Sequence, residues 1–355
     1  MELPKLKIGN LTSKLPIVQG GMGVGISLSN LAGNVALNGG IGILSGVEIG
    51  FAEPDFYRNK KEANARALKH HVERAREIAK GGIIGINIMA VLTDFEEIVK
   101  DAVREKIDII FSGAGLPLNL PEFTKGTDTK VVPIVSSDRA AKLICKTWDR
   151  RYDIIPDAIV VEGPKAAGHL GFSREELENP EISLEGIIGK VLDAVKPFED
   201  KYSKKIPIIA AGGIMNGKDI ARFLSLGASG VQMGSRFAAT EECDAADEFK
   251  ESYVRAKEED IVLINSPVGL IGRAINNKFI EDTKMGLKKP IKCLVNCLKP
   301  CEPTAVPYCI ANALINAQKG NLNSGFVFAG SNSYKIDGLM KVKDLIEQLV
   351  AEARS

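Results

Sequence analysis

His169 is the residue of this chain whose type and setting best suit proton chemistry. It stands in the run VEGPKAAGHLGF, just past the apolar stretch of residues 157–161, among Gly163, Gly168 and Gly171. An imidazole titrates near neutral pH, so it can serve as acid, base or cation. A glycine-flanked, flexible histidine after a strand would reach a ligand; the same position would also suit a turn histidine with a purely structural hydrogen bond. Glu162, in the same run, could accept hydrogens from a bound ligand or pair with Lys165. His70 and His71 sit in a highly charged helical stretch and read as part of its solvated face.

Glycine turns supply the other chemistry. Gly212-Gly213 closes the apolar run of residues 206–211, and Gly234-Ser235 closes the next one, residues 231–233. Glycine lets the backbone turn tightly and present its N–H groups at close range. Two such turns after neighbouring strands suit a phosphate group, as after strands seven and eight of a (β/α)8 barrel; an ordinary βαβ unit would show the same glycines. Gly21-Met22-Gly23 follows an earlier apolar run and would let backbone approach a flat ring, with Met22 as a soft lid. Asn87 ends another run, and its amide both donates and accepts, as the edge of a pyrimidine-like ring requires. Cys293, Cys297, Cys301 and Cys309 are clustered. Four thiolates suit zinc or an iron–sulfur cluster, although the spacing is neither the usual zinc pairs nor the ferredoxin run. Were residues 291–299 helical, Cys293 and Cys297 would share a face. Free buried thiols are the alternative.

The elements that must position these residues are legible as eight short apolar runs. They lie at residues 15–19, 41–44, 83–89, 107–111, 130–135, 157–161, 206–211 and 231–233. Helix-like segments separate them, among them a charged one at 53–80, residues 95–105, residues 138–150, and one that Asn216 can cap. Such alternation implies parallel strands, and eight units with polar residues at their C-terminal ends predict a closed barrel. The fold class expected is therefore α/β, a (β/α)8 TIM barrel, over residues 1–237 and 321–355. Residues 238–320 show no strand-like run of comparable strength and predict a smaller helical cap carrying the cysteines. Residues 342–353 are amphipathic and predict a closing helix.

Composition narrows the functional classes. The chain has 355 residues, 45% of them hydrophobic, and a formal net charge of +1. That balance gives no electrostatic reason to expect nucleic acid or an anionic membrane as partner. Aromatic residues make up only 6%, too few for platforms that stack single-stranded bases. No apolar run is long enough to span a membrane, and the N-terminus lacks the apolar core of a signal peptide, so a cytoplasmic protein with a small-molecule substrate is expected. There is no Walker lysine loop, no H-E-x-x-H and no G-x-S-x-G elbow. A homodimer is one candidate assembly.

Four segments together, PIVQGGMGVGIS, INIM, VEGPKAAGHLGF and AAGGI with VQMGSRF, resemble the nitronate monooxygenase family, formerly called 2-nitropropane dioxygenases, which is related to the flavin-containing enoyl-ACP reductase. The resemblance implies a barrel with FMN across its C-terminal face. It implies Gly21, Met22 and Gly23 against the isoalloxazine, Asn87 bonded to the flavin, Gly212, Gly213, Gly234 and Ser235 on the phosphate, and His169 as the active-site histidine; Glu162 and Gly168 are expected with them among the cofactor-binding residues. The chain departs from the pattern at Ala167, where many members have a second glycine, and in its four cysteines.

Three functions follow as expectations. The first is FMN-dependent oxidation of alkyl nitronates with O2, His169 holding the anion or taking the α-proton of a neutral nitroalkane. The second is an NAD(P)H-dependent enoyl-ACP reductase, for which the basic residues 284–292 would offer a patch for an acidic carrier. The third is a redox module holding a metal or an iron–sulfur cluster. An IMP-dehydrogenase-like enzyme would want a nucleophilic cysteine where His169 stands.

Overall fold

The computed structural model describes residues 3–287 and 293–355. Eight short parallel strands close into a barrel: Ile17–Gln19, Gly42–Ser45, Ile84–Asn87, Ile109–Ser112, Lys130–Val135, Ile159–Glu162, Ile208–Ala211 and Gly230–Met233. Neighbours in the sheet follow chain order all the way round, and the first strand pairs with the eighth. The seam between the first and second strands is closed by a parallel bridge from Val18 to Ile41, with Gln19 N donating to Ile41 O at 3.0 Å. The buried Gln19 amide also spans that seam, accepting from Ile43 N at 3.0 Å and donating to Ile43 O at 3.2 Å. Each strand matches one predicted apolar run to within a few residues.

The runs are apolar because both faces of a barrel strand are buried. Val18, Ile43, Phe111, Val132, Val160 and Ile209 fill the interior. A hairpin of Leu6–Ile8 and Leu11–Ser13 adds Leu6 and Ile8 to that cluster. It plugs the end where the strands begin, since a Cβ at Gly230 would stand 3.1 Å from Leu6. The open end is thus the one where the strands finish. Outside, helices lie on the strands as their periodicity predicts. Asn216 caps helix Gly217–Ser225 by accepting from Asp219 N at 2.9 Å. The terminal helix, Val342–Arg354, packs on that same helix, and its Glu352 carboxylate accepts from Gly217 N at 2.8 Å.

The segment after the barrel differs from the expected all-helical cap. It contains helices, but also two antiparallel strands, Ile261–Asn265 and Ile271–Ile275. The latter pairs in turn with Gly168–Leu170, from the loop after the sixth barrel strand, and with Val327–Phe328. The second sheet therefore recruits residues from outside 238–320. Ile261–Asn265, IVLIN, is an apolar run that the expected helical cap passed over; Ile271–Ile275, IGRAI, is interrupted by Gly272 and Arg273, and its partners beyond this hairpin lie far away in the chain.

Two further expectations change. The charged helix spans Lys60–Ala79, with turns before it rather than a helical start at residue 53. His71 is half-buried, not solvated: its Nδ1 lies 3.2 Å from Ser29 Oγ on the neighbouring helix. Burial, with a smaller contribution from His70, pushes its pKa down to about 4.

Candidate functional site

The ends of the barrel strands surround a trough made of two adjoining cavities of about 230 and 120 Å³. Gly21, Met22, Glu162, Ala167, Gly234 and Ser235 line both. Every residue that the sequence singled out for a flavin site lines one or both of these cavities: Gly23, Asn87, Gly168 and His169 the larger, Gly212 and Gly213 the smaller.

The floor is backbone held by the barrel. A Cβ at Gly21 would stand 2.3 Å from the Asn87 Cβ, so only glycine allows the first and third strands' loops to meet here. Asn87 Nδ2 donates to Gly21 O at 3.4 Å, while its Oδ1 is buried without a partner. That orphaned acceptor suits a ring N–H. At the smaller end, Gly212 and Gly213 take φ of +98° and +81°, which side-chain-bearing residues rarely adopt. Lys165, Gly330 and Asn332 complete that end. Asn332 Nδ2 donates to Gly213 O at 2.7 Å, and Gly330 N donates to Ser235 Oγ at 3.1 Å. No local pattern points to Gly330 or Asn332, which lie over 90 residues from their partners. Lys165 was visible only as a mate for Glu162, yet no ion pair joins the two among the described residues. Glycine turns, hydroxyl and one exposed cation are the donors that a phosphate wants, and a ring acceptor sits at the other end. The residues present therefore fit a phosphorylated ring cofactor.

His169 is not on a flexible loop. It is the middle residue of the strand Gly168–Leu170, opposite Gly272 of the second sheet. Arg273, buried, donates from Nη1 to Pro164 O at 2.8 Å and Ala166 O at 2.7 Å, fixing the loop that leads to it. The ring packs edge-on to Phe328 at 5.1 Å between centroids, and Nε2 lies 2.7 Å from Ser266 Oγ. Ser266 Oγ also accepts from Val268 N at 3.4 Å. Burial pushes the imidazole's pKa down to about 4, so it is neutral at physiological pH. Burial pushes Glu162 up to about 7, leaving it able to donate or accept near neutrality. Neither Ser266 nor Phe328 carries a local signal, because a sheet pairing delivers both.

The wall opposite His169 lies after the second barrel strand, four strands round the barrel. Glu48 lines it, with Lys60 Nζ 2.8 Å from its Oε1 and 3.3 Å from Asp94 Oδ2. Burial opposes charge on Lys60, but Glu48 and Asp94 outweigh it and hold the ammonium form. Burial raises the Glu48 carboxyl despite Lys60. Lys60 also donates to Val295 O at 3.1 Å, tying the cysteine segment to this wall. That segment is irregular, not helical; the nearest helix begins at Ile310. All four clustered cysteines are free, and Cys297 lines the larger cavity. Among the described residues no three or more His, Cys, Asp or Glu converge as ligands of a single ion. Of the basic stretch 284–292, residues 288–292 lie outside the described residues. No described helix is long and apolar enough to cross a membrane.

A family described as nitronate monooxygenase matches residues 5–352, nearly the whole chain. The chain belongs to the nitronate monooxygenase family. A protein named probable nitronate monooxygenase from Staphylococcus aureus is 35% identical over 127 residues, which are 36% of this chain and 33% of that protein. The match thus spans about a third of the length of such relatives. Among solved structures, FabK from Thermotoga maritima superposes with a TM-score of 0.75 at 26% identity, covering 96% of this chain and 93% of that one. A nitroalkane oxidase from Streptomyces ansochromogenes gives 0.73 at 20% identity, covering 96% of each chain, and shares the fold. What these structures have in common with this nitronate monooxygenase family member is the fold.

Proposed function

We propose that this chain is an FMN-dependent enzyme that oxidises alkyl nitronates with O2. The observation that carries this is a neutral histidine, held by a serine, beside a trough with a ring acceptor at one end and glycine turns at the other. Gly212, Gly213, Gly234 and Ser235 would hold the FMN phosphate, with Lys165 adding positive charge. Asn87 Oδ1 would accept from the ring edge, and Gly21 to Gly23 would lie along its face. FMN, once bound, would supply the redox chemistry, taking electrons from the nitronate and passing them to O2.

His169 acts through hydrogen bonding rather than charge, because burial keeps it neutral. Ser266 Oγ accepts from Val268 N, so its own hydrogen is available for His169 Nε2. With Ser266 donating, the imidazole proton would lie on Nδ1 and would donate to an oxygen of the anionic nitronate. With the proton on Nε2 instead, Nδ1 would take the α-proton of a neutral nitroalkane. The apolar lining, including Ile134, Leu298 and Phe328, keeps water from the reacting atoms.

A second assignment, NAD(P)H-dependent reduction of an enoyl thioester on the same cofactor, is favoured by the apolar cavity and by the likeness to FabK over 96% of the chain. One experiment separates the two. The purified protein, supplied with FMN, is titrated anaerobically with NADH and then turned over with a nitronate in air. A flavin left oxidised by NADH but turned over by nitronate supports the oxidase chemistry. Rapid bleaching by NADH assigns the reductase, and the failure to retain FMN removes both.

A further inference from the structure

The four clustered cysteines come together in space as well as in sequence. Cys293, Cys297, Cys301 and Cys309 all line one small space beside Asn296 and Val306. A void of about 10 Å³ lies at its centre, within about 340 Å³ of unfilled volume that runs out to solvent. None of the four is in a disulfide. The chain's three histidines, at 70, 71 and 169, lie elsewhere, so the donor set is thiol alone. Thiolates select zinc, copper(I) or iron–sulfur clusters.

Geometry separates these. Around one tetrahedral zinc, with Zn–S near 2.3 Å, sulfurs lie roughly 3.8 Å apart. The cysteines do not converge in that way. They line one space together, an arrangement in which each thiolate can ligate a different metal atom of a polynuclear cluster. The spacing, three residues, three residues and seven, also avoids the paired C-x2-C knuckles of zinc sites.

The loop that carries them is built to be held still. Pro300, Pro303 and Pro307 keep it from becoming helical. Its backbone is fastened to the barrel by Lys299 N donating to Val91 O at 2.9 Å, Thr93 N to Cys297 O at 3.2 Å, and Lys60 Nζ to Val295 O at 3.1 Å. Cys297 belongs to the walls of both this space and the larger cavity of the trough.

We propose that Cys293, Cys297, Cys301 and Cys309 bind an iron–sulfur cluster set in the wall between the surface and the cofactor trough. Each thiol gives up its proton to solvent as it ligates iron. The site places a one-electron carrier against the cavity, and it stands whichever substrate the trough takes.

The test uses the full chain, purified without oxygen and reconstituted with ferric iron, a thiol reductant that brings part of it to ferrous iron, and sulfide. Iron and acid-labile sulfide should appear in equal amounts, several atoms of each per chain, with an EPR signal after dithionite reduction that FMN does not give. Cys301→Ser and Cys309→Ser should each lower bound iron at least tenfold, while Cys145→Ser, outside the cluster, should retain it. In the reconstituted wild type, alkylation mapped by mass spectrometry should spare the four cysteines. Iron no higher than in a Cys301→Ser/Cys309→Ser double variant would overturn the proposal. So would stoichiometric zinc that iron and sulfide do not displace, or full alkylation of the four thiols after reconstitution. The wild-type measurements decide the matter even if a variant does not fold.

Discussion

The two sides of the trough are made in different ways. One side is main chain: glycine turns at the ends of the first, seventh and eighth barrel strands, held at fixed spacing by the parallel sheet. The other is side chain: His169, Ser266 and Phe328, delivered by an antiparallel sheet laid over the barrel mouth. Main chain in tight turns offers N–H groups that any phosphate can use and tolerates almost no added atom. Side chains on a second sheet set a single proton and its direction, and their neighbours are open to change. The difference suggests a division of labour, with the barrel holding the cofactor and the overlying sheet acting on the substrate.

The strongest way to break that division is His169→Ala. Turnover with nitronate should fall by about 100-fold or more, the scale of a lost proton-handling group, while FMN stays bound, as absorbance of the desalted protein would show. Loss of the flavin together with activity would mean that His169 belongs to the cofactor side.

A second test concerns protonation. His71 and His169 both have pKa values pushed down to about 4 from an ordinary 6.5. Between those values each histidine binds more protons in the unfolded chain than in the folded one, so each contributes stability that grows as pH goes from 4 to 6.5, opposed over that window by Glu48, Glu162 and Asp244, whose carboxyls burial raises. Each histidine contributes up to about 3 kcal/mol to that slope. His71→Gln should remove that histidine's share, so that the variant's thermal stability gains less, or falls more, between pH 4 and 6.5 than the wild type's. An unchanged slope would show that His71 is not held neutral by the fold.

Gly21→Ala probes the main-chain side. The new methyl would collide with Asn87, at a cost of about 1–3 kcal/mol. FMN affinity should weaken by one to two orders of magnitude in a fluorescence titration, while the flavin-saturated variant keeps most of its turnover. Ser266→Ala probes the other side and should be the mildest. Losing one hydrogen bond to the imidazole is worth about 1 kcal/mol, so kcat should drop about fivefold with FMN affinity unchanged. A Ser266→Thr variant that restores the rate would tie the loss to the hydroxyl.

How much of this was legible beforehand follows the same divide. The eight strands announced themselves because barrel strands are buried on both faces and so must be continuous apolar runs, such as IVV at 159–161 and IIAA at 208–211. The glycines at 21, 212 and 213 announced themselves because the close approach to Asn87 or a positive φ admits little else, whereas Gly234, at φ −108°, has room for a side chain beside Met22. Asn216 as a cap and residues 342–353 as a closing helix are local matters of hydrogen bonding and periodicity, and the structure has both. The strands at Ile261–Asn265 and Ile271–Ile275 were missed: IVLI at 261–264 is an apolar run of the barrel kind, whereas Ile271–Ile275, although mostly buried, is interrupted by Gly272 and Arg273 and takes its place from its partners. His71 was misplaced for a related reason: a charged helix has a buried face too, and which residues lie on it depends on the helix beside it.

The sequence by itself thus determined the barrel, the order of its strands and the backbone turns that can grip a phosphorylated ligand. Those features rest on burial and on glycine's conformational freedom, which act over a few residues. Only the tertiary structure decided that His169 is neutral and held by Ser266, that Asn87 keeps one acceptor free, and that four cysteines surround a single space against the trough. Each of those depends on groups brought together across the chain, where desolvation and direct contact, not local pattern, set the chemistry.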